Sequence, residues 1–531
     1  MKRNDLRSRG LISGAILSAV VGLAAFPAAA DVSLFDHEGL KIDGAFVGGI
    51  TGFVSPGAQF KTGTWTNNGQ GAIGRRITGH PAWTETFLHP ELKASYETEK
   101  AGTFYGDVSA ELTMTGGDGD ASLLSTTYGH PLLIDIENGY GGWKSGKVLE
   151  GLGLDENALD LSGGRQSFRV ADGFLISNGV FNAGQRGMFW TQSRTAFSQT
   201  GLAKVATGPI RGDVFYLQNE TAQHKLSPSL DFAKTKVFGG NVEWFETVAA
   251  EEGKPAKDGA SNFADRKWYA GLTFFHVLDA KASGPFSFAS SEVSRGALTN
   301  LNITNTLTSN RDGMNVFSAH VGGNFLPFAE DFSLYGNYVY ESNGKAGYKV
   351  SANAWYLEPG YQLSTVPWTP KLSYRYAHFS GDGNPNDTTK KAYDPYFYNA
   401  ITRGFGTWFI GEIVGNYVIS NSNVNINQLV MSVNPRDDLK LSVLGYIYNY
   451  DNKNQFVGVG GAAITSDSLA HEIDFTAEWT ITDNVSLSGA LGIARSGSGY
   501  KQYLNTYGGV AAGTPNSGTW YLGETSVVVK F

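Results

Sequence analysis

Beyond residue 30, no stretch of this chain comes near the roughly 18 uninterrupted apolar residues that a membrane helix needs. Many short segments instead alternate apolar and polar residues one by one. In EIDFTAEWTI (472–481), Ile473, Phe475, Ala477, Trp479 and Ile481 oppose Glu472, Asp474, Glu478 and two threonines. A dry core would not accept three such carboxylates unpaired. In VSLSGALGIA (485–494), Val485, Leu487, Leu491 and Ile493 share a face with Gly489, and serines, alanines and Gly492 share the other. In DFSLYGNYVY (331–340), Phe332, Leu334, Tyr338 and Tyr340 oppose Ser333, Tyr335 and Asn337. Strands of this kind need an apolar medium on one side and a wetter one on the other. If they cross hydrocarbon, the sheet must close on itself, because lipid cannot satisfy the backbone groups of an open edge.

The N-terminus carries Lys2, Arg3, Arg7 and Arg9, then an apolar segment over 11–26, then Ala28 and Ala30 in a small-residue cleavage pattern. This reads as an export signal removed after Ala30, leaving 31–531 as a single barrel domain. Removing residues 1–30 takes away four cations and Asp5, so the charge moves from -8 to -11. An acidic exported chain is a poor nucleic-acid binder, and no such partner is expected.

Composition agrees. Charged residues make up 17%, against roughly 25% in an ordinary soluble protein, yet a mean hydropathy of -0.20 is too polar for a helical membrane protein. The cysteine count of 0 removes disulfides and thiolate chemistry.

Short polar links at 329–331, 435–438 and 482–484 alternate with long Gly, Asn, Ser and Thr rich inserts near 249–265, 280–312, 380–404, 451–469 and 496–518. Short turns at one rim and long loops at the other mark an up-and-down antiparallel barrel crossing an outer membrane. The pattern gives eighteen strands, with sixteen as the lower bound. One is placed at 406–420, the second begins at 90, and the stretches 55–88 and 116–158 read as non-alternating connections. Aromatic pairs such as Trp244–Phe245, Trp268–Tyr269 and Trp520–Tyr521 fall near strand ends, where amphipathic rings suit the headgroup level. The sequence ends in TWYLGETSVVVKF, and Phe531 reads as the terminal signal that directs insertion into the outer membrane. The rival fold is a secreted soluble β-sandwich or β-helix.

A wide barrel is a pore whose chemistry is that of its lining. In LDLSGGRQSFRV (159–170), Arg165, Ser167 and Arg169 share a face. In KLSYRYAHF (371–379), Arg375 shares one with Lys371 and Ser373. A lipid-facing arginine near the midplane costs on the order of 2–4 kcal/mol, so Arg165, Arg169 and Arg375 are candidates for the lumen, where guanidinium groups suit carboxylate-bearing solutes. The alternative is that they neutralise wall carboxylates such as Glu243, Asp474 and Glu478. Asp382 and Asp387 are weak calcium candidates whose spacing fits no EF-hand. No other cofactor is implied, and no H-E-x-x-H or G-x-S-x-G motif points to an enzyme.

Two segments carry a family resemblance: GGRQSFRVADGFLISNG (163–179) followed by RTAF (194–197), and HFSGDGNPNDTTKKAYDPYFYN (378–399). Together they resemble the alginate export family of Gram-negative outer-membrane proteins. The resemblance implies a monomeric eighteen-stranded barrel that passes an acidic polysaccharide or another hydrophilic, anionic saccharide solute. It places Gly164, Arg165 and Gln166 on the pore wall, and Ser380, Gly381, Asp382, Asp387 and Asp394 in a long loop. Its surroundings would be outer-membrane lipid and lipopolysaccharide, reached through the barrel-assembly machinery. Two alternatives stand beside it, namely a general or substrate-specific uptake porin unconnected with alginate, and a barrel that mainly presents its loops. A polymer exporter should show a continuous ladder of inward arginines, whereas an importer of small solutes should have a long loop folded into the pore.

Overall fold

The structure is a computed structural model. It describes residues 32–57, 82–117, 132–177, 179–181, 188, 191, 193–221, 234–249, 263–280, 311–344, 349–384, 386–398, 411–419, 421–455, 464–507 and 518–531. The proposed export signal lies outside these residues.

Eighteen antiparallel strands form one closed sheet. The first six are β1 (Leu40–Val54), β2 (Ala82–Thr98), β3 (Gly102–Gly117), β4 (Leu132–Lys144), β5 (Leu159–Gln166) and β6 (Phe197–Thr207). They are followed by β7 (Ile210–Gln218), β8 (Thr235–Thr247), β9 (Arg266–Ala280), β10 (Asn315–Gly323), β11 (Phe332–Asn343) and β12 (Lys349–Gln362). The last six are β13 (Lys371–Phe379), β14 (Val424–Arg436), β15 (Leu439–Tyr450), β16 (Ser468–Thr482), β17 (Val485–Ser496) and β18 (Thr519–Lys530). Each pairs with its chain neighbours, and β18 closes on β1 from Val47↔Lys530 to Val54↔Gly523. Phe531 extends the seam by one step, exchanging backbone hydrogen bonds of 2.7 and 2.8 Å with Phe46. Below it a short strand, Val32–His37, pairs with Leu40–Gly44 and continues the line of β18.

Alternation sets the two faces of the wall. On β9, Leu272 and Phe274 face outward while Thr273 and Phe275 are buried inside; on β16, Ile473 and Phe475 face outward while Glu472, Asp474 and Thr476 are buried. The outer face is apolar from strand to strand, with Ile134, Val214, Val242, Phe317, Leu357 and Leu429 among its exposed side chains. Such a surface is stable only in lipid. The chain is therefore a multi-pass outer-membrane β-barrel of the Gram-negative type.

The eighteen strands are not quite those that alternation suggests. The segment 132–144 is a full strand, pairing with β3 and β5; its pattern is blurred by Gly139, Gly141 and Gly142. Conversely, residues 411–419 are no strand. They form a turn and a wide, π-type helical turn over Val414–Val418 inside the barrel, and their apolar side chains Ile413, Val414, Val418 and Ile419 are buried there rather than facing lipid. Residues 406–410 of that expected strand lie outside the described residues. Strand β2 starts at Ala82, ahead of Pro90, which merely interrupts its pairing with β3 between Leu88 and Glu91. Thr247 at the end of β8 and Arg266 at the start of β9 lie on the rim of short turns, because β8 runs toward that rim and β9 away from it.

Candidate functional site: the lumen

An eighteen-stranded barrel is too wide for wall side chains to fill, and here two connections turn inward. The first follows β5. Gly164 has φ +128° at an irregularity in the β5–β6 pairing, a conformation that L side chains rarely adopt. Beyond it Phe168, Val170, Phe174, Leu175 and Ile176 are buried. The second follows β13 and includes Tyr393, Tyr396 and Phe397, also buried. The two meet inside the barrel: Ile176 and Phe397 form a parallel bridge, with Ser177 N–H donating to the Phe397 carbonyl at 2.7 Å. Inward aromatics of the wall complete the packing, with Phe174 against Tyr356 at 5.3 Å, Phe275 against Tyr396 at 5.2 Å and Phe379 against Tyr393 at 5.9 Å between centroids.

Wall carboxylates hold these segments by their backbone. Glu85 on β2 accepts the N–H and the hydroxyl of Thr191 at 2.8 and 2.6 Å. Glu137 on β4 accepts the N–H groups of Thr195 and Ala196 at 2.6 and 2.7 Å, and its other oxygen meets Arg194 Nε at 3.0 Å. Glu341 on β11 accepts Asp394 N–H at 3.0 Å. Glu472 on β16 accepts Ile413 and Val414 N–H at 2.6 and 2.7 Å. A carboxylate taking such donors is worth on the order of 1.5–3 kcal/mol per bond, enough to fix a loop that lacks a sheet of its own.

The arginines are engaged as well. Arg375 is buried on β13, with Nε and Nη2 on Glu358 at 2.7 and 2.6 Å, beside the Tyr356 ring. Arg165 donates from Nε to the Glu137 carbonyl at 2.9 Å and stands 3.7 Å from its carboxylate. Arg169 lies on the first inward segment, not on a strand; it caps the Ala171 and Asp172 carbonyls and faces Phe263. Glu243 is shared by Arg266 at 2.7 Å and His320 at 3.3 Å. Arg311 grips Asp394. Asp474 is buried and receives Glu412 N–H at 3.4 Å, whereas Glu478 sits nearer the rim with Lys440 at 2.7 Å. Among the described residues, Arg165, Arg194, Arg266, Arg311 and Arg375 thus pair with protein carboxylates.

The loop residues that carry the family resemblance act as the root of the second segment. Ser380 Oγ donates to the Lys391 carbonyl at 2.6 Å and Gly381 N–H to Asp451 at 2.8 Å. A Cβ at Gly381 would collide with the Asn423 side chain. Asp382 and Asp387 accept the N–H groups of Asn384 and Thr389 at 3.1 and 2.7 Å, which is turn capping. Among the described residues no three His, Asp or Glu side chains converge as metal ligands. Sequence reasoning missed Glu85, Glu137, Glu341 and Arg311. Glu85, Glu137 and Arg311 lie in stretches that read as loops, and Glu341 is one carboxylate of an ordinary alternating strand; only the partners across the lumen set them apart.

Fold and lumen together define an outer-membrane β-barrel of the broad porin-like class. The sequence profile described as alginate export matches residues 300–503, less than half of the chain. Of the two motif-bearing segments, that stretch contains 378–399 and leaves out 163–179. No curated protein matches the sequence. Among solved structures, the chain is similar to Acinetobacter baumannii OccAB1, with 11% identity and a TM-score of 0.48 over 92% of this chain and 97% of that one. It is also similar to Pseudomonas aeruginosa OccK5 (OpdH), with 8% identity and a TM-score of 0.46 over 92% and 97%. Pseudomonas putida OprB is matched at 11% identity and a TM-score of 0.39 over 93% and 94%.

Proposed function

We propose that this barrel is a passive channel for the uptake of small hydrophilic solutes, exported to the outer membrane by the segment 1–30. The observation that carries the reading is the meeting of the two inward segments at Ile176 and Phe397. A conduit for a long polysaccharide needs a clear bore, and segments hooked to opposite walls by Glu85, Glu341 and Glu472 deny it one. Arginines tied into pairs such as Arg375–Glu358 support the same reading. A second reading, passage of acidic saccharides, is favoured by the alginate export match over 300–503.

Planar-bilayer recording of the purified protein separates the two. A small unit conductance, insensitive to mannuronate and guluronate oligomers and retained with neutral sugars, is the expected result. Block by those oligomers favours the acidic-saccharide reading, and absence of any current removes the channel.

A further inference from the structure

The inward turn 411–419 rests on a part of the wall with an unusual charge balance. Glu472 holds it through Ile413 and Val414 N–H, and also accepts the Tyr448 hydroxyl at 3.2 Å. Glu412, buried, extends its carboxyl to that of Glu524 on β18, and its Oε2 accepts Asn416 Nδ2–H at 3.3 Å. Asp474 lies beside Glu472 and takes Glu412 N–H. Glu472, Asp474, Glu524 and Glu412 are all buried, and among the described residues none of the four forms an ion pair. Among the described residues, the other charged groups facing this patch are Glu85, across from Glu524, and Arg375, which faces Tyr446 and has Nε and Nη2 both on Glu358 Oε2. Two carboxyl groups in hydrogen-bond contact need a proton between them, since like charges at that distance cannot both persist in a buried site. Among the described residues, apolar packing of Ile413, Val414, Val418 and Ile419 adds to this hold. Ile413 sits on Gly492, where a Cβ would come within 3.0 Å of Asp474 Oδ1 and 3.1 Å of two Ile413 carbons.

We propose that residues 411–419 form a proton-locked gate: shared protons keep Glu412 and its turn on the wall beside Glu472, Asp474 and Glu524, and loss of those protons drives the turn off. Burial, then the neighbouring Glu524, push the Glu412 carboxyl well above the ordinary carboxylate range. The docked form therefore binds the proton more tightly than the released form; docking is strongest at low pH and is lost as pH rises through the docked-state value. Each proton released shifts the docked-to-released ratio about ten-fold per pH unit. Release bares a cluster of carboxylates, so the path it opens prefers cations.

This inference rests on the channel reading, and single-channel recording from about pH 5 to about pH 10 tests both. The expected result is a rise in conductance with pH, accompanied by a reversal-potential shift toward cations. The double variant Glu412→Gln with Glu524→Gln should hold the low-pH conductance throughout. Ile413→Ala, which strips apolar packing from the turn and leaves every carboxylate in place, should raise the low-pH conductance toward the high-pH level, and a heat-modifiability gel shows that each variant is folded. Steady wild-type current across the range, or a pH response that survives in the double variant, overturns the gate and leaves the channel. No current at any pH overturns both.

Discussion

Arg311 takes both carboxylate oxygens of Asp394 at 2.6 Å inside the lumen, while its guanidinium lies over the Tyr396 ring and donates to the Pro395 carbonyl at 3.0 Å. One side chain thereby fixes the segment whose Phe397 meets Ile176. Removing it leaves the half-buried Asp394 beside Glu341 with its cation gone, a loss approaching the roughly 3–5 kcal/mol of a broken buried pair. Arg311→Ala should therefore free the second inward segment and raise conductance while the barrel stays folded. Arg311→Lys should not restore the wild-type level, because a single ammonium cannot reproduce the two-point grip. Wild-type conductance in Arg311→Ala would count against the latch.

The pairing of Arg375 with Glu358 makes a second expectation. Were Arg375 a free anion-binding group, Arg375→Ala would merely weaken anion preference. Because Glu358 is its partner, the single variant should leave an uncompensated carboxylate and move the reversal potential toward cations. Arg375→Gln combined with Glu358→Gln should bring the potential back close to wild type. A double variant as cation-preferring as the single one would show that the pair is not the cause.

The outward and inward faces of β9 can be told apart by one position. Leu272 is exposed to the membrane at mid-strand. Leu272→Arg should destabilise the barrel by about 2–4 kcal/mol in lipid, and Leu272→Phe should be close to neutral. Urea unfolding in lipid vesicles measures both, and equal midpoints would mean that Leu272 does not face hydrocarbon.

At the seam, Phe531 contributes two backbone hydrogen bonds to Phe46, but its ring is exposed. Phe531→Ala keeps those bonds, so the refolded barrel should retain its stability to within about 0.5 kcal/mol. Its yield in the outer membrane of cells should nevertheless fall, as expected of a residue read during assembly. Unchanged yield would remove that role.

The architecture was legible because strand alternation is a local property. The opposed faces of 472–481 and 485–494 sufficed to expect a closed wall, and β16 and β17 have those faces. Where locality failed, the reading failed with it. Glycines hid β4, and the apolar residues of 411–419 imitated a strand. The count of eighteen survived because one omission offset one false strand.

The roles of the charged residues were decided elsewhere. Nothing near Arg375 in sequence announces Glu358 as its partner, nor does anything near Glu85 or Glu472 announce Thr191 or Ile413. Which face of each strand meets lipid follows from residues two apart, and so belongs to the sequence. How the bore is filled depends on hydrogen bonds and ring contacts between segments dozens to hundreds of residues apart, and these exist only once the wall has closed and brought its opposite sides within reach.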